Sequence, residues 1–189
     1  KIFFLKLFCT IPSFFNYING KGKEVVAEVF IPGTISRRFL GATPDKIVKA
    51  WSYGVAGGIR AGVLGSNCQF ANGLAAIFLA CGQDVASIAN SCSGTFFMDV
   101  TGEGDLYASV HLPSLMVGTV GGGVGLETQK ECLDLLGCFG NGKVYRFSEI
   151  IADAGAFVLI EWAEKLKGGL LPQERTDIRF TTNSDDSHT

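Results

Sequence analysis

Two places in this 189-residue chain carry residue types that could do chemistry. The first is Asp84, which closes the word Ala80-Cys-Gly-Gln-Asp84 after an apolar run. An ionised carboxylate is costly to bury in such a setting, so its side chain either serves a site, as perturbed carboxylates often do, or is satisfied by local hydrogen bonds at a helix surface. The second is the stretch from Ser114 to Gly137, where an apolar strand runs into Gly121-Gly-Gly123 and then into an amphipathic helix. Residues without Cβ can take positive φ and let the backbone approach a ligand, and a helix opening near Glu127 or Thr128 would offer unpaired N–H groups to a phosphate or carboxylate. This is the chemistry of nucleotide and coenzyme binding. A generic dinucleotide fingerprint is disfavoured, because Gly-x-Gly-x-x-Gly spacing begun at Gly121 ends on Leu126, and begun at Gly123 it ends on Thr128.

Positioning these groups requires helices and strands in alternation. Residues 1–10 read as a buried strand, and Asn16 to Pro32 as two strands around a turn at Asn19-Gly20, with Pro32-Gly33 ending the second. Thr43-Pro44-Asp45 predicts a helix start, with Thr43 as N-cap, Pro44 at the first helical position and Ile47, Val48 and Trp51 on the apolar face. That helix is predicted to end near Tyr53-Gly54, because glycines at 54, 57, 58, 62 and 65 argue for close packing or a ligand-adjacent loop. From Cys68 to Ala89 the spacing of Leu74, Ile77, Phe78, Cys81 and Val85 predicts one long buried helix bearing Asn72, Gln83 and Asp84 as polar exceptions. Strands are predicted over 95–101 and 106–111 around Gly102-Glu-Gly-Asp105, and a final amphipathic helix over 147–165 with Ile151, Ala154, Val158 and Trp162 on one face. The class implied is α+β or mixed α/β.

Composition narrows the partners. Hydrophobic residues make up 47%, enough for a core in a single domain, while charged residues are 18% and the net charge is −2. No basic field exists to hold nucleic acid or an anionic membrane surface. No uncharged apolar run reaches the ~18 residues of a membrane span. The six cysteines, Cys9, Cys68, Cys81, Cys92, Cys132 and Cys138, lack paired metal-ligand spacing, so no metal site is expected, and they are read as small thiols in a reducing cytoplasm. His111 sits in a strand pattern and is read as structural, and His188 as solvated in a polar tail running from Pro172 to Thr189.

The words Phe70-Ala-Asn-Gly-Leu-Ala-Ala-Ile-Phe-Leu-Ala-Cys-Gly-Gln-Asp84 and Leu112-Pro-Ser-Leu-Met-Val-Gly-Thr-Val-Gly-Gly-Gly123, in this order and spacing, resemble the catalytic domain of class I 3-hydroxy-3-methylglutaryl-coenzyme A reductase. The resemblance runs from about residue 16 to 140 and takes in Gly20-Lys-Gly-Lys23 and 129–137. It implies an α+β large domain over 1–171, with 172–189 as a flexible tail, and an activity that reduces a coenzyme A thioester to mevalonate with two NADPH. Asp84 then matches the family's catalytic aspartate, Gly121, Gly122 and Gly123 the loop near the nicotinamide cofactor, and Asn72 an asparagine beside the substrate's acid portion.

The resemblance also implies a homodimer or larger oligomer, since the family's sites form between subunits and residues 52–90 would leave a broad apolar surface on a monomer. Some of the family's words differ here. Its Ser/Thr-Asp-Lys-Lys-Pro loop corresponds to Cys9-Thr-Ile-Pro12, without lysine, and its catalytic histidine has no counterpart. Its catalytic glutamate and NADPH-domain word belong to sequence preceding residue 1, and because the chain opens on Lys1, an upstream portion is expected. Two readings follow: part of an NADPH-dependent reductase, or an inactive relative that serves as a coenzyme-binding or oligomeric interaction subunit.

Overall fold

The computed structural model describes residues 14–63 and 70–157. The expectations for residues 1–10, Cys68, Val158, Trp162, His188, the end of the last helix at 165 and the tail beyond 171 lie outside those residues.

Three antiparallel strands form one sheet in the order β1-β3-β2, with β1 at Lys23–Ile31, β2 at Thr95–Val100 and β3 at Leu106–Leu115. Alternation along β1 puts Val25, Ala27, Val29 and Ile31 on the buried face and leaves Phe30 exposed. Phe96 and Met98 of β2 and Leu106, Ala108, Val110 and Leu112 of β3 join the same core. The other face carries short polar pairs. Tyr107 donates its hydroxyl to Glu28 at 2.9 Å, and His111 Nε2 lies 2.9 Å from Glu24 Oε1, which gives His111 the structural place its strand pattern implies.

The helices are α1 (Phe14–Asn19), α2 (Pro44–Arg60), α3 (Phe70–Ala80), the single turn α4 (Ile88–Ser91), α5 (Glu127–Leu135) and α6 (Val144–Phe157). Helix α6 packs on β1 and β3, placing Phe147 and Ile151 in the core, and α3 inserts Phe70, Leu74 and Phe78 beside it. Helix α2 covers β2, where Trp51 donates its indole N–H to the Phe96 carbonyl at 2.9 Å and meets Phe97 edge-on at 5.4 Å. The mixture of helices and one small sheet is the α+β class expected from the sequence.

Four boundaries differ from the sequence reading. Residues 14–19 are helical rather than a strand, because Gly20 at φ +72° turns the chain before β1 starts, and α1 rests on β3. Helix α2 runs on to Arg60 through Gly54, Gly57 and Gly58, since glycine weakens a helix without ending it. It stops at Gly62, whose φ of +73° lets Val63 N–H reach the Gly58 carbonyl at 3.0 Å. The same device ends α3 early: Gly82 takes φ +65° and Gln83 N–H donates to the Phe78 carbonyl at 2.8 Å. The long helix over 68–89 is therefore broken, and Val85 is 51% exposed. Finally, α6 begins at Val144, three residues ahead of the predicted start.

Candidate functional site: a groove between two glycine turns

Ending α3 at Ala80 swings Cys81-Gly-Gln-Asp84 out as a loop, and β3 delivers Met116-Val-Gly118 alongside it. The side-chain amide of Gln83 fastens the two. Its nitrogen donates to the carbonyls of Cys81 and Gly118, both at 2.9 Å, and its oxygen accepts the Gly118 N–H at 2.8 Å.

A second fastening needs no side chain. A Cβ on Gly82 would stand 2.4 Å from the Gly123 carbonyl oxygen, and one on Gly123 would stand 2.8 Å from the Gly82 oxygen, so the two backbones touch where only glycine fits. Two further bonds brace the glycine loop: Thr119 Oγ1 donates to the Gly140 carbonyl at 2.8 Å, and Gly140 N–H returns to Thr119 O at 3.0 Å.

Between these turns lies an open groove of about 650 Å³, lined by Gly22, Lys23, Gly82, Gln83, Asp84, Ser87, Leu115 to Gly118, Gly122 and Gly123. Asp84, Gly122 and Gly123 all line this one groove. Gly121 is not among the lining residues; at φ +77° it turns the chain into the 3-10 turn Gly122–Gly125. Asn72 is exposed on α3 and outside the groove lining, so the groove alone does not join it to Asp84.

Two expectations change in detail. Asp84 is exposed rather than buried on a helix, because the Gly82 turn carries it out of the core. One carboxylate oxygen accepts the Ala86 N–H at 3.1 Å and the other the Ser87 hydroxyl at 3.3 Å, capping the 3-10 turn Val85–Ser87. These bonds hold the carboxylate by its own turn and leave it at the groove. Likewise, it is the glycine turn, and not the start of the following helix, that borders the groove. Helix α5 opens at Glu127, outside the groove lining, and its first turn carries that residue's negative charge.

Cys81, at the buried start of the loop, is 2% exposed, and burial raises its pKa, with Cys132 and Cys138 adding to the effect. A thiol held neutral in this way is packing rather than a nucleophile. Cys138 is also buried, and Cys92 and Cys132 partly so, all as free thiols. Among the described residues no group of three His, Cys, Asp or Glu could hold a metal ion, and no helix is long and apolar enough to cross a membrane.

The groove also holds residues to which sequence reasoning assigned no role. Gln83 and Gly82 sit inside the same word as Asp84, and the signal for them was the glycine that breaks an apolar helical pattern. Lys23 lies in Gly20-Lys-Gly-Lys23, and only the pairing of Lys23 with Leu115 shows that it reaches the groove.

Comparison with known proteins agrees with this architecture. The chain is 42% identical over 144 residues to the 3-hydroxy-3-methylglutaryl-coenzyme A reductase of Methanothermobacter thermautotrophicus, covering 76% of this chain and 36% of that protein. The identically named protein of Aeropyrum pernix is 46% identical over 149 residues, covering 76% of this chain and 35% of its own length. That of Xenopus laevis is 39% identical over 133 residues, 68% of this chain and 15% of its own length. The chain thus spans about a third of the archaeal relatives' length, and less of the frog protein. The profile of the family described as Hydroxymethylglutaryl-coenzyme A reductase matches residues 8–158, most of the chain and all of the groove, and the chain belongs to that family.

Proposed function

We propose that this chain supplies the Asp84 side of a reductase site that takes 3-hydroxy-3-methylglutaryl-coenzyme A to mevalonate and coenzyme A with NADPH. The observation that carries this reading is the juxtaposition of the Asp84 loop and the Gly122-Gly123 turn across one groove, fastened by Gln83 and by the Gly82–Gly123 backbone contact. Family membership supports this chemistry, and the lining of the groove supports locating it there.

The residues present suit a coenzyme. Gly122 and Gly123 present backbone without side chains, so a flat or phosphorylated group can lie against them. When bound, NADPH would supply the hydride. The chain's own part is electrostatic: an Asp84 carboxylate held by Ala86 N–H and the Ser87 hydroxyl keeps one orientation toward the groove, where it can balance a cation or steer a proton. Asn72 is proposed to contact the acid portion of the substrate from α3.

The direct test is NADPH oxidation in the presence of 3-hydroxy-3-methylglutaryl-coenzyme A. Asp84→Asn should lower turnover ~10²- to 10⁴-fold with the fold intact. Undiminished turnover in that variant would remove Asp84 from the reaction. The reading of an inactive relative predicts coenzyme binding with no turnover in the parent chain.

A self-associating surface belongs to the same proposal. Tyr53 and Ile59 of α2 are 67% and 70% exposed, and Gly54 and Gly57 leave the backbone of the same helix open. Sedimentation should report at least a dimer, and a compact monomer at micromolar concentration would contradict this part.

A further inference from the structure

We propose that Lys23 is the groove's phosphate-gripping cation, held against the ring of Tyr145 until a phosphate or pyrophosphate group of the ligand draws it across to the Gly122-Gly123 turn. The proposal rests on the reductase reading for its ligand class but on separate observations for its residue.

Lys23 opens β1 opposite Leu115, and the ladder shifts register between Lys23 and Val25. Such an irregularity re-aims a side chain at a sheet end. The backbone beneath it is fixed, because Gly22 at φ +98° packs so closely that a Cβ there would stand 2.4 Å from the Leu115 carbonyl oxygen. The neighbouring Lys21 N–H also donates to Ser114 Oγ at 3.0 Å. The base of Lys23 is therefore held by its neighbours, while its half-buried four-carbon stem has rotatable bonds enough to re-aim the ammonium.

Its ammonium stands 3.8 Å from the centroid of the Tyr145 ring, and Tyr145 is 51% exposed. A cation over an exposed ring is a weak contact, worth only about a few-fold in equilibrium. A charge-assisted hydrogen bond to phosphate is stronger, so an arriving anion outbids the ring.

Among the described residues lining the groove, Lys23 is the single cation and Asp84 the single anion. A phosphate seated by the glycine turn meets one lysine there, and Asp84 would repel it toward that lysine. NADPH and coenzyme A both carry such groups, and the groove's chemistry alone does not separate them.

Calorimetric titration of the full chain with NADPH, coenzyme A and inorganic pyrophosphate, on the parent and on Lys23→Gln, Lys23→Arg and Tyr145→Leu, tests this. Lys23→Gln should weaken the bound probe about tenfold or more and flatten its salt dependence, Lys23→Arg should recover most of the affinity, and Tyr145→Leu should leave binding equal or up to a few-fold tighter because the resting contact is gone. The probe that loses affinity in Lys23→Gln identifies the source of the phosphate.

Parent-level affinity for all three probes in Lys23→Gln would overturn the assignment while leaving the reductase reading intact. Binding of pyrophosphate alone, lost in Lys23→Gln, would keep the assignment and overturn the reductase reading for this groove. No binding of any probe by the parent would overturn both. A folded Lys23→Arg protein that binds as poorly as Lys23→Gln would show that the lysine acts through its packing and would also overturn the proposal.

Discussion

Two glycine-rich regions of this molecule look alike in sequence and behave in opposite ways. Around the groove, Gly82 and Gly123 are irreplaceable in space, since a Cβ on either would strike the other's backbone, and Gly82, Gly121 and Gly122 take positive φ. Along α2, Gly54 and Gly57 sit in an ordinary helix with nothing within 4 Å of a built Cβ. One set of glycines permits a contact inside the chain, and the other leaves a surface bare. A run of glycines in a sequence therefore says that a side chain is missing, and only the structure says whether backbone or open space takes its place.

The largest effect should come from breaking the first set. Gly82→Ala combines a left-handed φ with a backbone clash and is expected to cost about 3 kcal/mol or more in chemical denaturation. A loss under about 1 kcal/mol would mean that the two turns are not pressed together in solution.

Next, Gln83→Leu strands the Gly118 N–H and carbonyl and should cost about 2 kcal/mol, with faster amide exchange at Gly118 as its local signature. Unchanged exchange there would show that the clasp does not form.

Asp153 of α6 should give a smaller, pH-dependent effect. Among the described residues one of its oxygens is buried without a hydrogen-bond partner, and burial first, then the nearby Glu149 charge, raises its pKa. A raised acid pKa means that the folded state holds the proton more tightly than the unfolded state. The charged form's penalty is then absent below the unfolded carboxylate range and grows as pH rises through the folded pKa. Asp153→Ala should therefore stabilise the protein by about 1 kcal/mol near pH 7 and by nothing measurable near pH 3. An equal gain at both values would point to helix propensity instead.

The smallest effect sharpens the other side of the comparison. Gly57→Ala should stabilise the folded chain by about 0.5–1 kcal/mol if α2 is free in solution. If a second copy covers that face, the same substitution should lower the association constant measured by sedimentation, which would locate the interface.

What was legible in the sequence follows the same division. The β2 and β3 strands, the Thr43-Pro44 start of α2 and the opening of α5 at Glu127 were readable because alternation, a proline in the first helical turn and apolar period are local signals, although the Thr43 side chain makes no capping hydrogen bond. Where α2 and α3 stop was not, because each ends at a glycine whose left-handed φ cannot be told from the helix-tolerated glycines before it. Asp84 was found as a candidate for a reason the structure removes: the sequence placed it on a buried helix, whereas it caps an exposed turn at the groove. The glycine before Gln83 signalled a break but not its clasp, and nothing local marked Lys23, since their partners lie 35 residues away at Gly118 and about 90 or more residues away at Leu115 and Tyr145.

Whether the Asp84 loop and the glycine turn form the one coenzyme-binding groove proposed for them can be read from the backbone amide resonances of the chain during titration with NADPH and with coenzyme A. Saturable shifts should concentrate at Lys23, Gln83, Asp84, Gly118, Gly122 and Gly123, with α2 unmoved by ligand at constant oligomeric state. Shifts confined to α2 or to the outer face of the sheet, or none with either ligand, would contradict that proposal.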